Sequence, residues 1–127
     1  MALGEWGLGV MDALAQREEM IPFVSHFRER SHVYMMSACM RAGDAGQAVT
    51  EYKRLRKEKE GYYEYCQKML GSDKSIELFP LAMIEEMKKR KPEIIEKELE
   101  NARNRVKKYC EAELYEKFLE QINIECP

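Results

Sequence analysis

The sequence predicts an all-α fold in one domain over residues 1–127, a compact helical bundle or repeat-like helical hairpins with a long C-terminal helix. Three observations carry that expectation. Apolar residues recur at three- and four-residue spacing, the period of a half-buried helix. Only 7 Gly and 4 Pro interrupt 127 residues, so elements should be long. No stretch with the alternating period of a strand is long enough to compete.

Gly4, Gly7 and Gly9 loosen the start, and a short helix is expected from Val10 to Met20, with Val10, Leu14 and Met11 inward. Pro22 suits the first turn of a second helix, where a missing N–H costs nothing. The apolar residues of that helix are Phe23, Phe27, Tyr34, Met35, Ala38, Cys39 and Ala42. Gly43-Asp44-Ala45-Gly46 reads as a stop followed by a start. Gly43 can take the left-handed conformation that ends a helix, and Asp44 can cap the next one. A third helix is expected from Ala45 to Glu60, with Ala48, Val49, Tyr52 and Leu55 as its apolar stripe and Gly61 interrupting it. Tyr62 to Leu70 then forms a short aromatic helix ended by Gly71, and Gly71-Ser72-Asp73-Lys74 is the clearest loop. Ser75 to Phe79 supplies a single helical turn. Pro80 opens a helix through Arg90 with Leu81, Ile84 and Met87 on one face.

Pro92 begins the long helix, expected to run to Ile124. Ile95, Leu99, Ala102, Val106 and Tyr109 form a heptad seam, after which Leu114, Phe118 and Ile122 continue on a rotated stripe. A helix of about 30 residues is about 45 Å long. That exceeds the width of a compact domain of this size, whose radius of gyration is near ~14 Å. Part of the helix is therefore expected to project and leave Leu114, Phe118 and Ile122 uncovered, as an interface for homodimerisation or for a partner. The rival is that the Val10–Met20 helix folds back over them.

Hydrophobic residues are 45% and charged residues 35%, too apolar for disorder and too charged for a membrane protein. The net charge of -2 comes from 21 basic and 23 acidic side chains, so there is no global steering toward nucleic acid or a membrane. Cys39, Cys66, Cys110 and Cys126 contain no C-x-x-C pair, which argues against a zinc ribbon. The first residues include Glu5, Asp12, Glu18 and Glu19 and lack the basic start and apolar run of a secretory signal, so a reducing cytoplasm is expected. No metal or cofactor is expected.

Met35 to Leu55 resembles a tetratricopeptide-type helical hairpin. The resemblance rests on Gly43-Asp44 at the turn, Ala48 where two helices approach closely, and Tyr52 one turn further on. It is also similar to the last repeat of the bacterial transcriptional activation domain, through Arg41-Ala42-Gly43-Asp44, Ala48 and Tyr52-Lys53-Arg54-Leu55-Arg56. His32, Met36 and Leu55 depart from that pattern, and no second copy follows at the repeat period. The resemblance implies stacked helices that bind a protein partner, with Ala48 buried against the helix before it.

Two E-x-x-E pairs, Glu93/Glu96 and Glu113/Glu116, invite a metal-site reading. They are expected about 30 Å apart on one helix, too far to converge within a chain. Lys97 and Lys117 stand four residues beyond Glu93 and Glu113, ordinary surface pairing. His26 and His32, six residues apart, do not share a helix face. No nucleophile elbow or phosphate loop is present, so no catalytic residue is assigned and a non-enzyme is expected.

The function expected is a non-catalytic helical interaction module or small subunit that binds a protein partner. Leu114, Phe118, Ile122, Tyr62 and Tyr63 are its candidate contacts, since exposed Tyr is common at interfaces. The alternative is a helical subunit of a nucleic-acid-binding or transcription-regulating assembly. It would use two basic runs, Lys53-Arg54-Leu55-Arg56-Lys57 and Lys88-Lys89-Arg90-Lys91. A metal-dependent enzyme assembled across a dimer is the third class. Met35, Met36 and Met40 read as core filler or as an adaptable surface.

Overall fold

The structure is a computed structural model that describes residues 2–14 and 16–126, with side chains described from residue 7 onward apart from the termini and Ala15. Among the described residues there are seven α-helices and no strand. They are α1 (Ala2–Leu14), α2 (Ile21–Arg41), α3 (Ala45–Leu70), α4 (Lys74–Leu78), α5 (Leu81–Lys89), α6 (Pro92–Lys107) and α7 (Ala112–Glu125). A single 3₁₀ turn, Glu18–Met20, precedes α2.

The α2–α3 hairpin is the frame. Gly43 sits at φ +79°, which a Cβ would strain, and Asp44 accepts a hydrogen bond from the Gln47 N–H at 3.0 Å. The chain therefore reverses within three residues. The register runs backward from there, pairing His32 with Glu51, Glu29 with Lys59 and His26 with Tyr62. Ala48 is fully buried and clusters with Met36 and Met40 of α2.

The first helix differs from the expected Val10–Met20 element. α1 ends at Leu14, and Ala15 lies outside the described residues. The three glycines lie within α1, and at Gly7 the helix presses close to α2. A Cβ on Gly7 would stand 2.9 Å from the Phe27 ring. α3 is likewise one helix, where the sequence suggested an interruption at Gly61. Glycine inside a helix costs about 1 kcal/mol. Leu55 and Lys59 before it and Tyr62 and Cys66 after it are all buried, and burying them outweighs that cost.

The C-terminal segment corrects the sequence reading most. The expected long helix is two helices, broken at Lys108–Glu111. Lys108 and Tyr109 donate to Arg105 and Val106 three residues back, tightening the end of α6, and Glu111 then turns to extended backbone. A straight helix cannot aim both of its rotated stripes at one core. Breaking it does, so that Val106 and Phe118 are both fully buried in one cluster. That cluster joins Met36 and Met40 to Val49, Tyr52 and Leu55 of α3, to the α6 seam, and to Tyr115, Phe118 and Ile122 of α7. Tyr109, expected in the seam, lies outside the core and is partly exposed.

A second, smaller cluster lies at the other end of α3. Tyr62, Cys66 and Met69 meet Phe79, Ile84 and Met87 of the α4–α5 segment. Leu81, expected on the inner face of α5, points to solvent. Among the described residues no helix is long and apolar enough to cross a membrane.

Candidate partner-docking surface

The contacts expected on the C-terminal helix are not a surface. Phe118 has no exposed area, Ile122 is buried, and Leu114 is partly buried against the same cluster. Tyr52 meets the Phe118 ring edge-on at 6.1 Å. Neither the projecting end nor the fold-back of the first helix occurs: α3 covers the stripe, and α1 packs on α2. Tyr62 is also core, and its burial pushes the phenol well above the usual tyrosine range. Tyr63 is partly buried against the larger cluster.

The two basic runs are largely engaged. Lys53 pairs with Glu125 at 2.6 Å, Arg54 with Glu51 at 2.7 Å, Arg56 with Glu60 at 3.0 Å and Lys88 with Glu85 at 3.5 Å. Lys57, Lys89 and Lys91 are exposed and have no carboxylate partner among the described residues. Arg90 is buried, which removes it from any phosphate-contacting face.

Arg90 belongs to a closed ring of four alternating charges. Its guanidinium reaches Glu29 of α2 at 3.1 Å and Glu98 of α6 at 3.6 Å. Lys59 of α3 closes the circuit, 3.3 Å from Glu29 and 2.6 Å from Glu98. The Arg90 guanidinium also lies 4.8 Å above the Tyr62 ring. Each charge thus has two opposite neighbours, and the ring sums to zero. No local pattern announces it, because its members come from four separate segments.

A cleft of about 820 Å³ opens between α1, α2 and α3. Within it His32 Nδ1 stands 2.9 Å from Glu51 Oε2, both side chains buried. Ser25 Oγ, on the same cleft, is buried without a partner among the described residues. Ser25 and His32 are about two helical turns apart, roughly 10 Å, so the imidazole does not reach that hydroxyl. The pair ties α2 to α3, as Arg28 does through Asp12 and Glu58. Among the described residues no three His, Cys, Asp or Glu side chains converge as metal ligands. The E-x-x-E pairs lie exposed on different helices, Glu93 and Glu96 on α6 and Glu113 and Glu116 on α7.

What remains open is the outward face of α2. Phe23 is 55% exposed and Tyr34 is 70% exposed, while Phe27 between them is only partly exposed because its ring packs against Gly7 of α1. With Arg30 and Arg41 they fall on one helical stripe, since steps of three, four and seven residues return to the same side. The inward stripe of α2 is instead Val24, Met35, Met36 and Met40. The helix therefore carries two apolar faces. The signal that separates them is the arginines in step with the aromatics, which could have been read from the spacing.

Beside this stripe, α2 and α6 enclose a groove of about 500 Å³. Arg30, Tyr34 and Arg41 stand on one wall, Arg105 and Tyr109 on the other, with Val33 between them. The Arg41 guanidinium stacks 4.2 Å above the Tyr109 ring. The break after α6 is what brings Tyr109 to this rim. No family model, curated protein or solved structure matches the chain.

Proposed function

We propose that the chain is a non-catalytic helical interaction module that docks a protein partner on the outward face of α2. The observation that carries this reading is the pair of exposed aromatics Phe23 and Tyr34, in line on α2 with the partly covered Phe27, with Tyr34 at the rim of an open groove. Large aromatics left in solvent in line along one helix are the composition of interface cores. The resemblance of the α2–α3 turn to a tetratricopeptide hairpin supports the same reading, since such hairpins present helix faces to partners. A cytoplasmic setting fits four free cysteines. The nucleic-acid alternative is weaker, because Arg90 is buried and most of its other cations are paired.

The test is site-specific photo-crosslinking in the native host. A benzophenone side chain replaces Tyr34 on the α2 face or Glu116 on the exposed side of α7. Discrete adducts with a protein are expected from position 34 and none from position 116. Adducts from 116 alone, or equally from both, would remove the α2 face as the docking surface.

A further inference from the structure

We infer that the groove between α2 and α6 binds an acidic segment of a protein partner, holding its carboxylates on Arg30, Arg41 and Arg105. This deepens the reading of the α2 face as a docking surface and rests on it.

The chain has nine arginines. Arg17, Arg28, Arg54, Arg56 and Arg90 each pair with a carboxylate, and Arg103 donates to the Tyr52 hydroxyl at 2.6 Å. Arg30, Arg41 and Arg105 have neither a carboxylate nor a hydrogen-bond partner among the described residues, and all three line this groove. The other two charged residues there, Glu29 and Lys59, are consumed in the neutral ring. The walls therefore carry three uncompensated positive charges in a chain whose net charge is -2.

Three features select the occupant. Guanidinium groups hold carboxylates bidentately, and Arg41, steadied on Tyr109, keeps its edge free for that geometry. Tyr34, Val33 and Tyr109 add apolar surface among the charges, which suits an acidic peptide with interspersed aliphatic or aromatic residues. Arg30 and Arg41 lie eleven residues apart on one helix, about 16 Å, the length of a short segment and not of a globular domain. A second copy presenting the same groove would set like charges against each other. A nucleic acid draws its affinity from many phosphate contacts, of the order of 6–10, and three clustered arginines supply too few.

The experiment titrates the full chain against a fluorescein-labelled peptide of about 15 residues alternating glutamate with leucine and tyrosine, with fluorescence anisotropy as readout. A lysine-for-glutamate version and a mixed-sequence single-stranded oligonucleotide are run beside it. The acidic peptide should bind and weaken with salt, and the basic peptide should not bind. R30E/R105E should lose at least about tenfold in affinity for the acidic peptide and acquire binding to the basic one. Circular dichroism verifies the fold of each variant, and R30Q/R105Q should show the same loss with less electrostatic disturbance. Acidic-peptide binding unchanged in both double variants overturns the inference. So does oligonucleotide binding that is tighter and lost in the same variants, or a doubling of mass through this face. If no acidic peptide binds while position 34 still crosslinks a partner, the docking face stands and the acidic occupant is wrong. If neither occurs, both readings fall.

Discussion

The two ends of α3 are packed in different ways. Its N-terminal half is covered by α2, α6 and α7, and Met36, Ala48, Leu55, Leu99, Val106 and Phe118 have no exposed area at all. Its C-terminal half is covered mainly by α4 and α5, and Cys66 alone in that cluster is as completely enclosed. The difference follows from helix length. α4 has 5 residues and α5 has 9, whereas α6 and α7 have 16 and 14. Isolated helices that short are not stable, so the smaller core depends on what anchors it. The anchor is Arg90 at the end of α5, held in the ring with Glu29, Lys59 and Glu98. The larger core has one buried pair beside it, His32 with Glu51, but is covered by longer helices. A small core at the end of a long helix borrows charge pairing from its neighbours.

The largest expected effect is in the larger core. Phe118→Ala should cost about 3–5 kcal/mol, because four packed helices cannot collapse into the cavity. Met87→Ala in the smaller core should cost about 2–3 kcal/mol, since short α5 can shift to fill the space. Denaturant midpoints at unchanged slope check both. An equal or reversed order would show that the two cores do not differ in rigidity.

Breaking the anchor should come next. Glu29→Gln leaves Lys59 and Arg90 with Glu98 alone, and Glu98 is about a third exposed and therefore partly screened. The expected cost is about 2 kcal/mol, below the usual cost of breaking a fully buried pair. The informative readout is hydrogen exchange. Amides of α5 should exchange faster while those of α7 keep their protection. Uniform acceleration throughout would mean that the two cores unfold as one unit and that the ring anchors neither in particular.

The smallest effect is alkaline. Burial raises Tyr62 above the ordinary range and lifts Tyr65 to about 12. Tyr52 and Tyr115 in the larger core are also raised by burial. Unfolded tyrosines lose their protons from about pH 10. Above that pH the unfolded chain binds fewer protons than the folded one, so stability falls as pH rises. The tyrosine contribution is fully present below about pH 10 and disappears as the pH passes the folded values. Tyr65→Phe should flatten part of that fall between about pH 10 and 12. An unchanged slope would place the alkaline loss elsewhere.

Much of the fold was legible because its signals are local. The Gly43-Asp44 turn, Pro22 and Pro92 at helix starts, the Ile95–Val106 seam and the buried Ala48 each depend on residues within a turn or two. Local chemistry could not weigh Gly61 against the burial on both sides of it, so α3 runs through where an interruption was expected. The proposed docking face was legible in part. Phe23, Phe27 and Tyr34 were recognised as apolar residues of the second helix, but which side of α2 faces the core is set by α3 and α6.

The sequence by itself determined helical class, most helix starts and the two rotated stripes near the C-terminus, since periodicity and capping act over a few residues. Tertiary structure alone decided that the stripes share one core. Both are long and apolar, and only a broken helix lets α3 cover both. It also decided which charges are spent. Whether an arginine is free depends on carboxylates dozens of residues away, and so Arg90 is enclosed between Glu29 and Glu98 while Arg30, Arg41 and Arg105 stand open along one groove.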